Sequence, residues 1–186
     1  MLAPEPVVLE GYGVRLEPLA ASHLTDLFAA SAYDEIWRWT STPRPRSVQD
    51  LRAGGNPGVG FAVVVAGVAV GSTCYLDVDV PVEGLEVGGT WYRRDLWATS
   101  VNPACKLLLL GHAFDALGVQ RVTLKTDALN TRLKSAITRL GCSYDGTLRH
   151  HRLRGDGSVR DTAYFSLLAG EWPTARLGLR ARLGAG

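Results

Sequence analysis

The chain has 186 residues, of which 46% are hydrophobic and 20% charged, and its formal net charge is +2. These values are typical of one soluble globular domain that buries a full core. The scattered basic residues give no nucleic-acid footprint, no apolar run approaches the ~18 residues of a membrane span, and the N-terminus lacks a signal-peptide pattern. We therefore expect a cytoplasmic protein with neither a nucleic-acid nor a membrane partner.

The first third of the chain predicts one strand followed by short helices. Residues 7–19 predict a strand with a kink at its glycines, and Ser22 is a plausible N-cap for the helix after it. Residues 34–39 predict a second short helix, and Ser47 can cap a further helical turn. The cluster of Gly, Asn and Pro at 54–58 predicts a turn.

Two stretches predict β-hairpins. Residues 61–78 contain two apolar runs around Ala66-Gly67-Val68, and residues 143–167 contain two runs around Gly155-Asp156-Gly157. The tail at 175–183 predicts a short terminal helix.

The most informative part of the chain is the stretch from 85 to 142. Residues 85–92 predict a strand, and a short polar turn follows it. Asn102-Pro103 then predicts a helix start, because Asn is favoured at the N-cap and Pro fits the first turn of a helix. The helix over 104–117 is apolar on more than one side, as expected beside a sheet.

A second strand and a second helix complete this stretch. Residues 119–126 are rich in β-branched side chains and predict a strand, which Asn130 separates from a helix over 131–140. The apolar residues of that helix share one face, at Leu133, Ala136, Ile137 and Leu140. Helices interleaved with strands predict a mixed sheet.

The turn before Asn102 could bind an anion. A helix start leaves backbone N–H groups unpaired and carries the positive end of the helix dipole. Thr99 and Ser100 add hydroxyl donors at the same place. When these residues are considered alone, an ordinary capped helix after a tight turn is the favoured interpretation, because nearly every helix has a cap.

Three cysteines, Cys74, Cys105 and Cys142, lie far apart and lack the spacing of metal ligands. Each lies in an apolar run, which favours a buried thiol in a reducing cytosol over a nucleophile. No bound metal is expected.

The order of strand, turn, helix, strand, Asn and helix resembles the cofactor-binding half of the GNAT (GCN5-related) acyltransferases, and most of all the RimJ/RimL-type N-acetyltransferases. The segments at 124–130 and 156–162, followed by Glu171-Trp172-Pro173, extend the resemblance over nearly the whole chain. It implies an α/β (α+β) fold in which helices flank a V-shaped central sheet of about seven strands. The sheet would split between its fourth and fifth strands. It also implies one domain over 1–186, with the acyl-CoA-binding core at 85–142.

The resemblance implies acetyl-CoA as co-substrate and an amine as acceptor. The main chains of Trp91 and Tyr92 would line the pantetheine arm, and Asn130 would bond that arm or a buried water, although Asn130 could equally be a helix cap. The diphosphate would lie on backbone N–H groups of the turn, at Thr99, Ser100, Val101 and Asn102.

The chain departs from the family at several positions. The family usually writes its turn as Gln/Arg-x-x-Gly-x-Gly/Ala, and here Trp97, Ser100 and Asn102 stand at the three defined positions. Leu133 and Ile137 stand where relatives carry Ser or Tyr, so the second helix offers no hydroxyl to protonate the leaving thiolate. Cofactor affinity and catalytic rate are the properties that these departures affect.

Acetyl transfer to an amine needs a base, and two residues are candidates. Glu86 lies on the strand that would face the acceptor, and burial would raise its pKa, although it could instead be an edge carboxylate paired with an arginine. His151 has a suitable unperturbed pKa. Trp37 and Trp39 would border the acceptor cleft, or else belong to the core.

The sequence therefore favours an acetyl-CoA-dependent N-acetyltransferase that acts on a protein N-terminus or a small amine, either as a monomer or as a homodimer. The alternative is a catalytically weak or inactive GNAT-like module that binds acyl-CoA or joins a complex. The substituted turn and Leu133 favour that alternative.

Overall fold

The computed structural model describes residues 1–53 and 58–184. The chain forms one eight-stranded sheet with the strand order β1-β2-β3-β4-β5-β6-β8-β7. The strands are β1 (Leu9–Gly11), β2 (Val14–Pro18), β3 (Val59–Val65), β4 (Val68–Asp79), β5 (Gly84–Tyr92), β6 (Arg121–Asp127), β7 (Ser143–Leu153) and β8 (Val159–Leu168). The α-helices are α1 (Leu24–Ala30), α2 (Asp34–Trp37), α3 (Val48–Ala53), α4 (Val101–Gly111), α5 (Thr131–Arg139) and α6 (Trp172–Arg182).

The sheet is antiparallel except where β5 meets β6. These two parallel strands pair only at Gly84–Arg121, Leu85–Val122 and Glu86–Thr123, and beyond that point their backbones no longer form a ladder. Along the rest of its length β5 pairs with β4, and β6 pairs with β8. The result is a V-shaped opening in the middle of the sheet, which confirms the predicted mixed fold with a split between two central strands.

The predicted first strand is wrong in one respect, because residues 7–19 form two strands rather than one. Tyr12 and Gly13 have φ angles of 55° and 75°, and two consecutive residues in this region make the turn that joins antiparallel strands. β1 therefore folds back on β2, with Glu10 opposite Arg15. This hairpin accounts for a sheet of eight strands where about seven were expected.

Both predicted hairpins are present, as β3–β4 and β7–β8, and the terminal helix begins slightly earlier than expected. The cap at Ser47 is also present, because its Oγ accepts a hydrogen bond from the Asp50 N–H at 3.1 Å. Most of the turn predicted at 54–58 lies outside the described residues.

The start of α4 differs from the prediction. The helix begins at Val101 with Ser100 at the N-cap, so Asn102 and Pro103 lie inside the first turn. The backbone N–H of Ala104 bonds the Ser100 carbonyl at 2.9 Å. Pro103 is tolerated there because the first N–H groups of a helix have no intrahelical partner.

The main core lies between the sheet and the helices α4 and α6. Tyr75, fully buried on β4, donates its hydroxyl to the Leu109 carbonyl of α4 at 2.7 Å. Trp172 of α6 stacks on Phe114 with ring centroids 5.6 Å apart. No helix in the described part of the chain is long and apolar enough to cross a bilayer.

The tip of the β7–β8 hairpin packs closely on the loop after α2. The Gly155 N–H donates to the Thr40 carbonyl at 3.0 Å, and a Cβ added at Gly155 would lie 2.7 Å from the Cα and N of Pro43. Backbone atoms at that distance cannot move aside cheaply, so only glycine fits. This contact holds the hairpin against the segment that carries Trp39.

We therefore expect Gly155→Ala to lower the free energy of unfolding by about 1–3 kcal/mol, because overpacking must displace backbone. Urea unfolding monitored by tryptophan fluorescence measures the change. Gly170→Ala is the matched control, since a Cβ there meets nothing within 4 Å. Equal midpoints for the two variants would contradict the close approach.

Candidate functional site

The opening between β5 and β6 continues into a cleft of about 1870 Å³. Its walls include residues of β4, β5 and β6, of α2 and the loop after it, of α3 and α5, of the first turns of α4 and of the β7–β8 hairpin. Of the residues singled out in the sequence, the following line it: Trp37, Trp39, Glu86, Trp91, Tyr92, Thr99, Asn102 and Asn130. Ser100, Val101 and His151 do not.

The turn before α4 offers two free backbone donors rather than four. The Thr99 N–H bonds the Leu96 carbonyl at 3.4 Å, and the Val101 N–H bonds the Thr99 hydroxyl at 3.3 Å. The N–H groups of Ser100 and Asn102 have no partner among the described residues. Val101 is buried in the core, so its side chain anchors the turn.

Side chains fix the shape of this turn. The Tyr92 hydroxyl donates to the Asn102 Oδ1 at 3.1 Å, and the Trp97 Nε1 donates to the Tyr92 carbonyl at 3.1 Å. The guanidinium of Arg132, from α5, lies over the Trp97 ring at 4.0 Å from its centroid. A cation from another element therefore stands beside the position where the sequence lacks the expected Gln or Arg.

Glu86 is the last residue of β5 that pairs with β6, and it is only 8% exposed. Burial raises the pKa of its carboxyl, and the Lys125 ammonium, 2.6 Å away, partly offsets that rise. Lys125 also pairs with Asp77 at 2.7 Å, and this hydrogen bond lowers the Asp77 pKa. A Cβ at Gly88 would collide with the Glu86 carboxylate, so the glycine makes room for it.

Lys106 lines the cleft and was not recognised as a site residue from the sequence. It is 7% exposed, and its Nζ donates to the Thr90 hydroxyl at 3.2 Å, while Thr90 and Thr73 share a hydrogen bond of 2.8 Å. Burial lowers the Lys106 pKa to about 8. None of the described carboxylates pairs with it. The sequence feature that could have identified it is a lone lysine within the apolar run 104–110, since a lysine is rarely buried without a specific role.

Comparison with known proteins agrees with this geometry. Residues 14–143 match the family model described as Acetyltransferase (GNAT) domain. A GCN5-related N-acetyltransferase from Brucella melitensis is 28% identical with a TM-score of 0.90, and the match covers 97% of this chain and 86% of that one. A protein from T. thermophilus named as an acetyltransferase is 33% identical with a TM-score of 0.89, over 98% of this chain and 100% of that one.

The chain belongs to the GNAT acetyltransferase family. Mycobacterium smegmatis RimJ, solved in complex with CoA-disulfide, shares the fold of this GNAT domain at 18% identity and a TM-score of 0.81, over 97% of each chain. RimJ/RimL-like proteins are thus among its structural relatives. No curated protein matches the chain in sequence.

Within this GNAT domain, the two tryptophans predicted near the acceptor differ in setting. Trp37 is buried, donates its Nε1 to the Ser31 carbonyl at 2.9 Å and packs against Trp91 with centroids 5.4 Å apart. Trp39 is half-buried, and its carbonyl accepts a hydrogen bond from Arg160 at 3.3 Å. Trp37 therefore has a packing role, whereas Trp39 lines the cleft with part of its surface exposed.

Asn130 and His151 complete the placement of the predicted residues. The Asn130 Oδ1 accepts from the Leu133 N–H at 3.0 Å, so it caps α5, and its amide nitrogen has no hydrogen bond among the described residues. His151 lies on β7 outside the cleft, with its ring 5.8 Å from that of Tyr164. Desolvation and the nearby Arg152 lower the His151 pKa.

Among described residues, no group of three or more His, Cys, Asp or Glu side chains is arranged to hold a metal ion. Cys74, Cys105 and Cys142 are buried, and none of the three belongs to a disulfide. Burial raises the pKa of Cys105 to about 11 and that of Cys142 to about 12.

The raised pKa of Glu86 predicts a pH-dependent stability. Between the ordinary glutamate pKa and the raised folded value, the folded state binds more protons than the unfolded state, so stability falls as pH rises. Glu86→Gln removes this loss, and its stability relative to wild type should rise with pH across that window and then level off. Urea titrations at closely spaced pH values measure this, with Glu10→Gln on the exposed hairpin β1–β2 as control. A pH-independent difference would show that the Glu86 pKa is not raised.

Proposed function

We propose that the protein is an acetyl-CoA-dependent N-acetyltransferase that acetylates a primary amine, either a peptide N-terminus or a small amine. The observation that carries this proposal is the end of the β5–β6 ladder at Glu86 and Thr123, which opens the β5 backbone to the cleft of a GNAT domain. We also propose that residues 1–186 form one domain, with 85–142 binding the acyl-CoA. The buried thiols agree with a cytoplasmic setting.

The substituted turn still offers an anion site for the diphosphate. The free N–H groups of Ser100 and Asn102 lie at the N-terminus of α4, where the helix dipole favours a negative charge. The stacked Arg132 brings a cation beside Trp97. Thr99 and Val101 then act through the shape of the turn, because their own N–H groups are occupied.

The pantetheine arm fits the open edge of β5. Beyond Glu86, the strand pairs only with β4, so backbone groups on the other side, near Trp91 and Tyr92, can bond an extended ligand as a further strand would. The free amide nitrogen of Asn130 can add a donor from the β6 side.

Glu86 is the proposed base. The acceptor nitrogen attacks the thioester carbonyl, a C–N bond forms, and the proton that the nitrogen loses goes to the Glu86 carboxylate, directly or through a water. Burial makes this carboxylate more basic than an exposed one, while the Lys125 ammonium favours its ionised form. His151 is the second candidate for the base, and Glu86 is preferred because His151 does not line the cleft.

Lys106 is the proposed proton donor for the leaving thiolate. When the C–S bond breaks, the sulfur takes a proton from the Lys106 ammonium, which solvent then restores. A pKa of about 8 matches a thiol, so the transfer is nearly balanced in energy. The Lys106 ammonium would thus supply the proton that Leu133 and Ile137, which have no hydroxyl, cannot give to the leaving thiolate.

The base role predicts that Glu86→Gln lowers thiol release with a competent amine at least about a hundredfold, since a positioned base contributes ~10²–10⁴-fold. Acetyl-CoA affinity, measured by calorimetry, should not change. Glu10→Gln serves as the control. A rate change of less than severalfold would make Glu86 structural, and His151→Ala would become the variant to measure.

The acid role predicts that the wild-type rate at saturating substrates falls above pH about 8, as Lys106 loses its proton. Lys106→Met should lower the rate at least about tenfold at pH 7 and abolish this descending limb. The thiols near Lys106 cannot produce that limb, because burial holds the pKa values of Cys105 and Cys142 far higher. Lys134→Met, outside the cleft, is the control. An unchanged rate and pH profile would limit Lys106 to packing.

A catalytically inactive acyl-CoA-binding module is the second candidate, favoured by Ser100 in the turn and by Leu133 on α5. Thermal shift with acetyl-CoA, followed by thiol release over an amine panel, separates the two. Binding without thiol release for any amine would support the module and overturn the enzyme.

A further inference from the structure

Two arginines of the β7–β8 hairpin line the cleft without a carboxylate partner. Arg152 and Arg160 are directly paired in the strand register, so both belong to the same end of the hairpin. Neither forms an ion pair with any carboxylate that the structure describes. Two adjacent guanidinium groups repel each other, and an anion between them would relieve the repulsion.

The acidic residues of the cleft are already occupied. Four of them form ion pairs: Asp34 with Arg44, Glu35 with Arg94, and both Asp77 and Glu86 with Lys125. The other two, Asp50 and Asp156, accept hydrogen bonds from the Arg46 N–H and from Ser158. None of these contacts therefore pairs a cleft carboxylate with Arg152 or Arg160.

Two buried polar atoms, one of Arg160 itself and one of Thr162, have no hydrogen-bond partner among the described residues. The Arg160 Nε is buried without a hydrogen bond, and burial lowers the Arg160 pKa, while one Nη donates to the Trp39 carbonyl at 3.3 Å. Thr162, two residues further on the same face of β8, is 1% exposed and lines the cleft, and its hydroxyl is also unsatisfied. Unpaired buried donors are costly, so a ligand that accepts from them gains affinity.

This unsatisfied group of donors lies within electrostatic reach of the proposed base. The Glu86 carboxylate is close enough to act on the Arg160 charge, as is Asp127, which β6 places opposite Thr162. An acceptor that presents its nitrogen to Glu86 would thus bring a neighbouring substituent to Arg160. Arginine recognises carboxylate and phosphate oxygens better than other side chains do, because its N–H groups are arranged as a fork.

We propose that Arg160, Arg152 and Thr162 bind an anionic group of the acceptor, so that the preferred substrate is an amine that carries a carboxylate or phosphate. This proposal rests on the N-acetyltransferase function proposed above. It assigns to the hairpin the selection of substrate, a role distinct from that of the α4 turn and Arg132, which face the cofactor.

Paired amines test this proposal, each pair differing in one anionic group. Tyramine and tyrosine, histamine and histidine, and agmatine and arginine test for carboxylate, while ethanolamine and O-phosphoethanolamine test for phosphate. We expect kcat/KM for thiol release to favour the anionic member by about tenfold or more in at least one class, as expected for a charge-assisted hydrogen bond. Equal values in every pair would overturn the subsite.

Arg160→Met should reduce this preference to less than about twofold, and Thr162→Val, which is isosteric, should reduce it in part. Arg149→Met on β7, exposed and outside the cleft, removes the same charge and should keep the preference. Acetyl-CoA affinity of Arg160→Met should equal that of wild type. A loss of that affinity would assign the arginine to a cofactor phosphate and overturn the proposal.

Calorimetry with CoA present keeps the subsite testable even if no amine is acetylated. Binding of the anionic amine alone, lost in Arg160→Met but kept in Arg149→Met, would support the subsite while the enzymatic function fails. Thiol release without any anionic preference would support the enzyme and overturn the subsite. Binding of neither member in any pair would also overturn it.

Discussion

The early end of the β5–β6 ladder is the constraint on which the rest of the structure depends. After Glu86 and Thr123, two central strands of a sheet leave their facing backbone groups without each other as partners. Backbone groups inside a protein need hydrogen-bond partners, and for this reason we propose that an extended ligand binds along the gap. The register between β4 and β5 shifts between Ser72 and Cys74, in the same region, and an irregularity of this kind bends the strand that carries the extra residue.

Two ionisable side chains that line the cleft, those of Glu86 and Lys106, are buried, and burial shifts their pKa values in opposite directions. Burial raises the pKa of the Glu86 carboxyl and lowers that of the Lys106 ammonium to about 8, because desolvation disfavours the charged form of each. Their neighbours set the balance. Glu86 has Lys125 as a counter-ion, whereas Lys106 has only the Thr90 hydroxyl. The same physical effect, desolvation, thus makes the carboxylate that we propose as the base more basic and the ammonium that we propose as the acid more acidic.

The order of elements could be predicted from the sequence because local patterns determine it. Hydrophobic periodicity located the strands and helices, and the glycine-rich turn at 155–157 located the β7–β8 hairpin. The β1–β2 turn was missed because Tyr12, which has a positive φ, is not a usual turn residue. Lys106 and Arg160 were missed as site residues for a different reason. Each matters because it lines the cleft without an ion pair among the described residues. Spacing along the chain does not reveal which side chains lie opposite each other across a sheet.

The substituted turn illustrates how a departure in sequence can be compensated in space. Trp97 removes a polar side chain from the turn, yet its ring gives Arg132 a surface on which to stack, 4.0 Å from guanidinium carbon to centroid. The stacked cation comes from α5, more than thirty residues later in the chain, so a motif confined to the turn cannot record it. Asn102 is likewise more than a replaced glycine, because its Oδ1 ties the turn to the Tyr92 hydroxyl at the end of β5. The loss of glycine flexibility is therefore matched by side-chain contacts that hold one turn shape. The anion site that we propose there would consequently lose less conformational entropy on binding than a flexible turn would.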